Sequence, residues 1–171
     1  MAGQGTGAFS LIKLATREVQ IAALVAEPNE TWMRQITRNL MDPWAGFLRG
    51  TRLLIHDRAS LFGEQFRQVL ASAQVEGLRL PARSPNLNAY AERFVRTIRQ
   101  ECLSRMICFG EDSLRRTVKE FVAHYNAERN HQSLGNRIIQ PEVPTFPAVG
   151  EICRRRRLGG LLNYYYRAAT G

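Results

Sequence analysis

The chain has 171 residues, of which 44% are hydrophobic and 23% charged, so a largely disordered or collagen-like chain is excluded. Lys and Arg together number 24 against 15 Asp and Glu, which gives a formal net charge of +9, and the only lysines are Lys13 and Lys119. Because Arg makes bidentate contacts to phosphate, this composition favours a polyanionic partner, nucleic acid first, over a basic surface that is merely solvated.

The three cysteines, Cys102, Cys108 and Cys153, are odd in number and form no CxxC pair. This pattern argues against a disulfide scaffold or a cysteine zinc site and fits a reducing cytoplasm. No apolar run reaches the roughly 18 residues that a membrane span needs. No basic segment precedes the apolar stretch near the N-terminus, so we expect neither a membrane anchor nor a signal peptide.

The first part of the chain predicts a hairpin followed by a helix. Residues 1–7 are Gly-rich and are expected to be disordered. Two apolar runs at residues 9–14 and 19–25 flank a polar turn, as in a hairpin. Asn29 and Thr31 are the two candidates for the N-cap of the following helix. The expected packing residues of this segment are Trp32, Ile36, Leu40 and Trp44.

The middle of the chain predicts alternating strands and helices. Residues 52–57 predict a buried strand that ends in the carboxylate of Asp57, and apolar residues at helical spacing follow over 62–73. Residues 77–80 predict another short strand, and Ser-Pro at 84–85 predicts the start of a helix. Two further apolar stripes predict helices: Leu87, Tyr90 with Ala91, Phe94 and Ile98, then Leu114, Val118, Phe121 with Val122, and Tyr125. This order indicates an α/β or α+β domain with a small mixed sheet.

Two carboxylates are the candidates for metal chemistry. Asp57 follows a predicted strand and Glu92 lies on a predicted helix, and Mg²⁺ prefers such oxygen ligands. The structural alternatives are a turn cap for Asp57 and an i,i+4 ion pair with Arg96 for Glu92. His124 and His131 have no cysteine or acid at ligand spacing, so we expect structural roles for both rather than zinc binding.

Three segments resemble the integrase core of bacterial insertion-sequence transposases, which is related to that of retroviral integrases. SPNLNAYAERFVRTI at residues 84–98 resembles the glutamate motif, and residues 56–58 resemble the second aspartate motif. The 35 positions between Asp57 and Glu92 are close to the family's spacing. Residues 124–134 resemble the downstream pattern YN-x-x-R-x-H-x-x-L. The three segments occur in the family's order, and the resemblance covers roughly residues 8–140.

The resemblance implies a ribonuclease-H-like fold, an α/β arrangement in which a mixed sheet is flanked by helices. In this family two Asp and one Glu bind two divalent ions, Mg²⁺ or Mn²⁺. The site cuts DNA ends and joins the exposed 3′-hydroxyl to target DNA. Asp57 and Glu92 would be the second and third of these catalytic, metal-binding carboxylates.

The first carboxylate of the family's site has no counterpart here. No Asp precedes Asp42, which lies before Pro43 at the end of a predicted helix. Glu18 falls in the predicted hairpin turn and Glu27 follows the second hairpin strand, so neither is well placed as a substitute. We therefore expect a chain truncated on its N-terminal side, with the first strand missing and no independent catalysis.

Two groups of arginines are candidates for DNA contact, and a solvated basic face is the alternative for each. The first group flanks Glu92 on one predicted helix and consists of Arg93, Arg96 and Arg99. The second lies beside a tyrosine run and consists of Arg154, Arg155, Arg156 and Arg157. We expect three segments: a disordered N-terminus (1–7), a partial integrase core (8–140) and a Pro/Arg-rich tail (141–171).

These patterns leave three hypotheses open. The first is a fragment of an integrase-core transposase, a DNA recombination protein inactive by itself. The second is a non-enzymatic nucleic-acid-binding module that keeps the basic surface. The third is an active enzyme of the same fold with a replacement ligand. In each case we expect DNA as the partner and no association with a membrane. The expected location is the bacterial cytoplasm, at the nucleoid. The chain could be a monomer or a homo-oligomer.

Overall fold

The computed structural model describes residues 7–25, 27–81, 88–141 and 150–168. These residues contain both strands and helices, which confirms a mixed α/β protein. The elements are β1 (Gly7–Ile12), β2 (Val19–Val25), α1 (Glu30–Leu40), β3 (Leu53–His56), α2 (Glu64–Ser72), β4 (Glu76–Arg79), α3 (Ala89–Glu101), α4 (Gly110–Ala127), β5 (Ile152–Arg157) and β6 (Leu162–Arg167).

The chain divides into two compact units. Unit 1 contains the described residues of Met1–Ser10 and Ala22–Ala89, and unit 2 those of Leu11–Ile21 and Tyr90–Gly171. The helices α1 and α2 and the strands β3 and β4 therefore belong to unit 1. The helices α3 and α4 and the strands β5 and β6 belong to unit 2.

The predicted N-terminal hairpin is confirmed, since β1 and β2 pair with each other. Its turn is closed by the Lys13 amide, which donates to the Glu18 carbonyl at 2.9 Å, and by an ion pair of 2.8 Å between their side chains. Arg17 takes a positive φ of 66° at the end of the turn. Of the residues 1–7 that were predicted to be disordered, residues 1–6 lie outside the described part, and Gly7 is the first residue of β1.

Helix α1 is capped by Asn29, not by Thr31. The Asn29 side chain accepts a hydrogen bond of 2.9 Å from the Trp32 amide. The buried face of the helix is Met33, Thr37 and Leu40, with Trp32 and Ile36 only partly buried at its margin. The prediction that Trp44 packs inside is wrong, because 87% of it is exposed. It follows the helix in a turn, where local spacing gives no sign of which way a side chain faces.

The core of unit 1 joins α1 to α2 and the strand that follows. Its fully buried members are Met33, Phe66, Leu70 and Val75, and partly buried side chains pack around them. Phe66 and Leu70 lie on the apolar face of α2, at the helical spacing that the sequence predicted. The ring of His56, at the end of β3, packs against Phe66 with centroids 5.5 Å apart. The core thus fixes the end of the strand that precedes Asp57.

Strands β3 and β4 form a parallel pair, with Ile55 opposite Leu78. The crossover through α2 is the connection that parallel neighbours require. The prediction of a buried strand at 52–57 is correct for the strand but wrong for its burial. Only His56 is buried, while 44% of Leu53 and 44% of Leu78 are exposed. The apolar run marked a strand, but it could not show that only one face of the pair is covered.

Helices α3 and α4 form the core of unit 2. Phe94 of α3 packs edge-on against Tyr125 of α4, with centroids 5.1 Å apart, and also contacts Phe121. Ile98 of α3 and Val118 of α4 are buried beside them, as their spacing predicted. The predicted start of the first of these helices at Ser84 and Pro85, and its stripe residue Leu87, lie outside the described residues.

The described strands pair into three separate two-stranded sheets, β1–β2, β3–β4 and β5–β6. The ribonuclease-H-like arrangement, with one mixed sheet and a missing first strand, therefore stays a prediction. Strands β5 and β6 fall within the segment 141–171 and form an antiparallel hairpin with Arg154 opposite Tyr165. Residues 142–149 of that segment lie outside the described part.

Candidate functional site

Asp57 lies at the carboxyl end of β3, where its carboxylate is exposed and organises the turn. One carboxylate oxygen accepts a hydrogen bond of 2.9 Å from the amide of Ala59. Arg58 ties the same turn to the end of the neighbouring strand, since its Nε donates to the Leu80 carbonyl at 2.9 Å. The His56 ring nitrogen Nδ1 lies 2.8 Å from the Asp57 carbonyl oxygen. Asp57 therefore caps the turn after β3, which is the structural alternative that the sequence analysis gave for this residue.

Glu92 lies in the first described turn of α3, where a carboxylate is favoured by the helix dipole. Its side chain is exposed. Phe94 and Ile98 on the apolar face of the helix are buried, so the polar face is exposed to solvent. The three predicted DNA-contacting side chains on this helix are all exposed: Arg93, Arg96 and Arg99.

The two carboxylates belong to different units, Asp57 to unit 1 and Glu92 to unit 2. In the described part of the chain, no group of three or more His, Cys, Asp or Glu side chains could hold a metal ion. A reactive pair of divalent ions needs several oxygen ligands around one point. The assignment of Mg²⁺ or Mn²⁺ to Asp57 and Glu92 therefore stays a prediction.

The downstream motif at 124–134 builds the framework around α4. The Asn126 side chain bonds both backbone groups of Val19, accepting from its amide at 3.0 Å and donating to its carbonyl at 2.8 Å. Arg129 forms a bidentate ion pair with Glu101, the last residue of α3. Asn126 thus fixes strand β2 to α4, and Arg129 fixes the end of α3.

The two histidines of this motif are engaged in structural contacts. His131 is buried, its Nε2 lies 2.8 Å from the Tyr125 carbonyl oxygen, and its ring packs against the Tyr125 ring. Burial lowers the pKa of His131 from its usual value, against an opposing effect of the hydrogen bond. His124 Nδ1 lies 2.9 Å from a carboxylate oxygen of Glu128. The contacts agree with the structural roles that the sequence predicted for both.

The basic run at the start of the C-terminal hairpin is split between two faces by the strand alternation of β5. Arg155 and Arg157 turn toward α4, where both bond the carboxylate of Glu128. Arg154 and Arg156 are exposed on the opposite face. Of the four arginines predicted to contact DNA, the structure thus leaves two facing solvent and uses two as internal anchors.

Glu128 is the central residue of this region, and sequence reasoning missed it. Its side chain is 1% exposed, and Arg157 also pairs with Glu120 at 2.8 Å. Burial alone would raise the pKa of Glu128, but hydrogen bonds from Arg157, His124 and Arg155 together lower it to about 2. Glu128 is a variable position of the motif at 124–134, so the motif assigns it no role. The run of basic residues about 27 positions downstream was the one available sign of a buried acid.

Comparison with known families supports this description. Residues 73–138 match the model of the integrase core domain, which supports the resemblance that the motifs at 84–98 and 124–134 indicated. The matched range includes Glu92 and the whole of the motif at 124–134 but not Asp57. No curated protein and no solved structure matches the chain. Among the described residues, no helix is long and apolar enough to cross a membrane.

Proposed function

We propose that this chain is a DNA-recombination protein of the transposase and integrase class that binds DNA through the solvent face of α3. The observation that carries the proposal is the integrase core match over residues 73–138, which contains that helix. The exposed Arg93, Arg96 and Arg99 beside Glu92 and the net charge of +9 support a DNA partner. The bacterial cytoplasm, at the nucleoid, is the matching location.

The proposal retains Asp57 and Glu92 as the second and third carboxylates of the family's site and assigns no strand transfer to the chain alone. The sequence offers no counterpart of the family's first carboxylate, since no Asp precedes Asp42. We expect the two to bind Mg²⁺ or Mn²⁺ weakly and to hold no reactive metal pair.

The DNA-binding part is tested with two variants that lose the same charge. The first replaces Arg93, Arg96 and Arg99 by Gln, and the control replaces Arg38, Arg49 and Arg67, which are exposed in unit 1. Affinity for duplex DNA is measured by fluorescence anisotropy over a range of salt. We expect the α3 variant to lose affinity and to show a shallower salt dependence, because fewer counterions are released. Equal losses in both variants would overturn the α3 assignment.

The catalytic part is tested by incubating the purified chain with DNA ends and Mg²⁺ or Mn²⁺. We expect no strand cleavage and no transfer above background. Robust turnover that disappears in Glu92→Gln and Asp57→Asn would contradict the proposal and show that another residue supplies the first carboxylate. Salt-sensitive DNA binding that persists in both variants without turnover agrees with the alternative function, a nucleic-acid-binding module.

A further inference from the structure

The β5–β6 hairpin has two chemically different faces. Directly opposed residues of an antiparallel pair share a face, so the pairs Cys153–Tyr166, Arg155–Tyr164 and Arg157–Leu162 form the inner face. This face contacts α4 through the ion pairs of Glu128, and Leu162 is buried. The outer face consists of the alternate pairs: Ile152 with Arg167, Arg154 with Tyr165, and Arg156 with Asn163.

The outer face combines an exposed aromatic ring with three exposed arginines. The ring belongs to Tyr165, which is 60% exposed, and the arginines are Arg154, Arg156 and Arg167. The Arg154 guanidinium lies 5.7 Å from the centre of the Tyr165 ring, and its Nε donates to Asn163 at 2.9 Å. The Arg154 side chain beside the ring is therefore already held in place, and more than half of Tyr165 is exposed to solvent.

We propose that the outer face of the β5–β6 hairpin binds a single-stranded stretch of DNA. Tyr165 stacks on an unpaired base, while Arg154, Arg156 and Arg167 contact phosphates on either side of it. Stacking on an exposed ring combined with a positive surface is how proteins hold single strands without reading their sequence. A base in a duplex is already stacked on both sides and cannot offer its face to this ring.

The inner face makes the outer face a rigid platform. Glu128 is 1% exposed and pairs with Arg155 and Arg157, so β5 is fixed to α4 at two alternate positions. Arg154 and Arg156 alternate with these two residues along β5 and therefore point to the outer face. A strand held in this way loses little conformational freedom on binding, which favours affinity.

The inference rests on the proposed DNA-binding function, and the test separates the two. The full chain is titrated with a fluorescent oligo(dT) and with a duplex of equal length. The variants are Tyr165→Ala, Tyr165→Phe and the double change Arg154→Gln with Arg156→Gln, and the charge control is Arg38→Gln with Arg67→Gln. Thermal unfolding of each variant checks that the fold is kept.

We expect Tyr165→Ala to weaken oligo(dT) binding by about tenfold and Tyr165→Phe to leave it nearly unchanged, since the stacking ring remains. The Arg154 and Arg156 double variant should lose more affinity for oligo(dT) than its charge control. Duplex binding should change less than twofold in the two Tyr165 variants.

The inference would be overturned if Tyr165→Ala bound oligo(dT) as well as the wild type does, or if it lost as much affinity for the duplex as for oligo(dT). The proposed function would still stand in either case, provided that the wild type binds the duplex. Absence of binding to both DNAs would overturn both. Oligo(rU) bound about tenfold more tightly than oligo(dT) would overturn the assignment to DNA, because the platform would then serve RNA.

Discussion

Glu128 shows how one buried charge fixes the position of a whole basic segment. Leaving a carboxylate unpaired inside a protein is costly, and removing its partners costs more than the pair contributes. Here His124, Arg155 and Arg157 all bond this carboxylate, and its side chain is 1% exposed. A dense set of arginines near the C-terminus is thus partly a structural device and not only a DNA-binding surface.

The stabilising effect of Glu128 should depend on pH in a defined direction. Its pKa in the folded chain is about 2, below the usual 4.5, so the carboxylate stabilises the fold above pH 4.5 and loses this effect as the pH falls toward 2. We expect Glu128→Gln to lower the free energy of unfolding by roughly 3 kcal/mol at neutral pH. The difference from the wild type should shrink in acid, as measured by urea unfolding at several pH values.

The control for this comparison is Glu111→Gln. Glu111 pairs with Arg115 one turn along α4, and both side chains are more than half exposed. An exposed pair of this kind contributes about 0.5 kcal/mol at most. A Glu128 effect as small as that of Glu111, or one that stays constant down to pH 2, would contradict the buried ion-pair account.

The side chain of Asn126 joins strand β2 to helix α4. It pairs with both the amide and the carbonyl of Val19, which is itself 2% exposed. A buried backbone group that loses its partner is costly, so this amide can be replaced only by a group with one donor and one acceptor.

Asn126→Asp keeps the acceptor for the Val19 amide but removes the donor to the Val19 carbonyl. We expect this variant to unfold about 1 to 3 kcal/mol more easily at neutral pH, because that carbonyl then faces an oxygen. With one of its two hydrogen bonds lost, the link should open more often, so we expect the Val19 amide hydrogen to exchange faster relative to the amides of α4, as measured by hydrogen exchange and NMR. The control is Asn39→Asp, an exposed side chain on α1. A uniform rise in exchange over both elements would speak against a local link.

Sequence patterns predicted the elements well where a contact was local. The spacing of Phe66 and Leu70 gave α2, and the apolar run at 19–25 gave β2 with its bounds. The same patterns predicted poorly what depends on distant neighbours. Leu53 was expected to be buried, and the arginines of β5 were treated as one group. Their division depends on Glu128, which is far away along the chain and close only after folding.

For the candidate site, too, the sequence predicted the local features and missed those that depend on residues far away along the chain. Glu92 and its arginines were identified from a motif that lies within the integrase core match, and the structure places them on the exposed face of α3. The role of Asn126 could not be read from the motif, because its partner Val19 is 107 positions away. Strand alternation alone could have divided the arginines of β5 into two faces, had that segment been interpreted as a strand rather than as a tail.

At the scale of the whole molecule, the apolar surface of the β3–β4 pair stands out. A two-stranded sheet is marginal by itself, and parallel strands are usually covered on both faces. Here Leu53 and Leu78 are each 44% exposed, and among the described strands β3 has a neighbour on one edge only. Open edges and apolar faces of this kind promote association between chains.

We therefore predict that the chain self-associates through this pair of strands and that Leu53→Lys with Leu78→Lys shifts it toward the monomer. The net charge of +9 opposes association, so oligomers should become more abundant as salt screens the repulsion. Sedimentation velocity over a range of protein and salt concentrations measures both effects. The control is Leu14→Lys, since Leu14 is similarly exposed (46%) but lies in the turn of the hairpin rather than on a sheet.

Three results would be informative in this comparison. A monomeric wild type at high protein and salt concentration would rule out the association, since screening removes the repulsion that opposes it. Leu14→Lys could also shift the chain to the monomer as strongly as the double variant does. In that case the added charge, and not the loss of a contact at β3 and β4, would explain the change. Oligomers in the wild type and in Leu14→Lys that disappear only in the double variant would place the contact at β3 and β4, since only there does the substitution put a charge on an apolar sheet face.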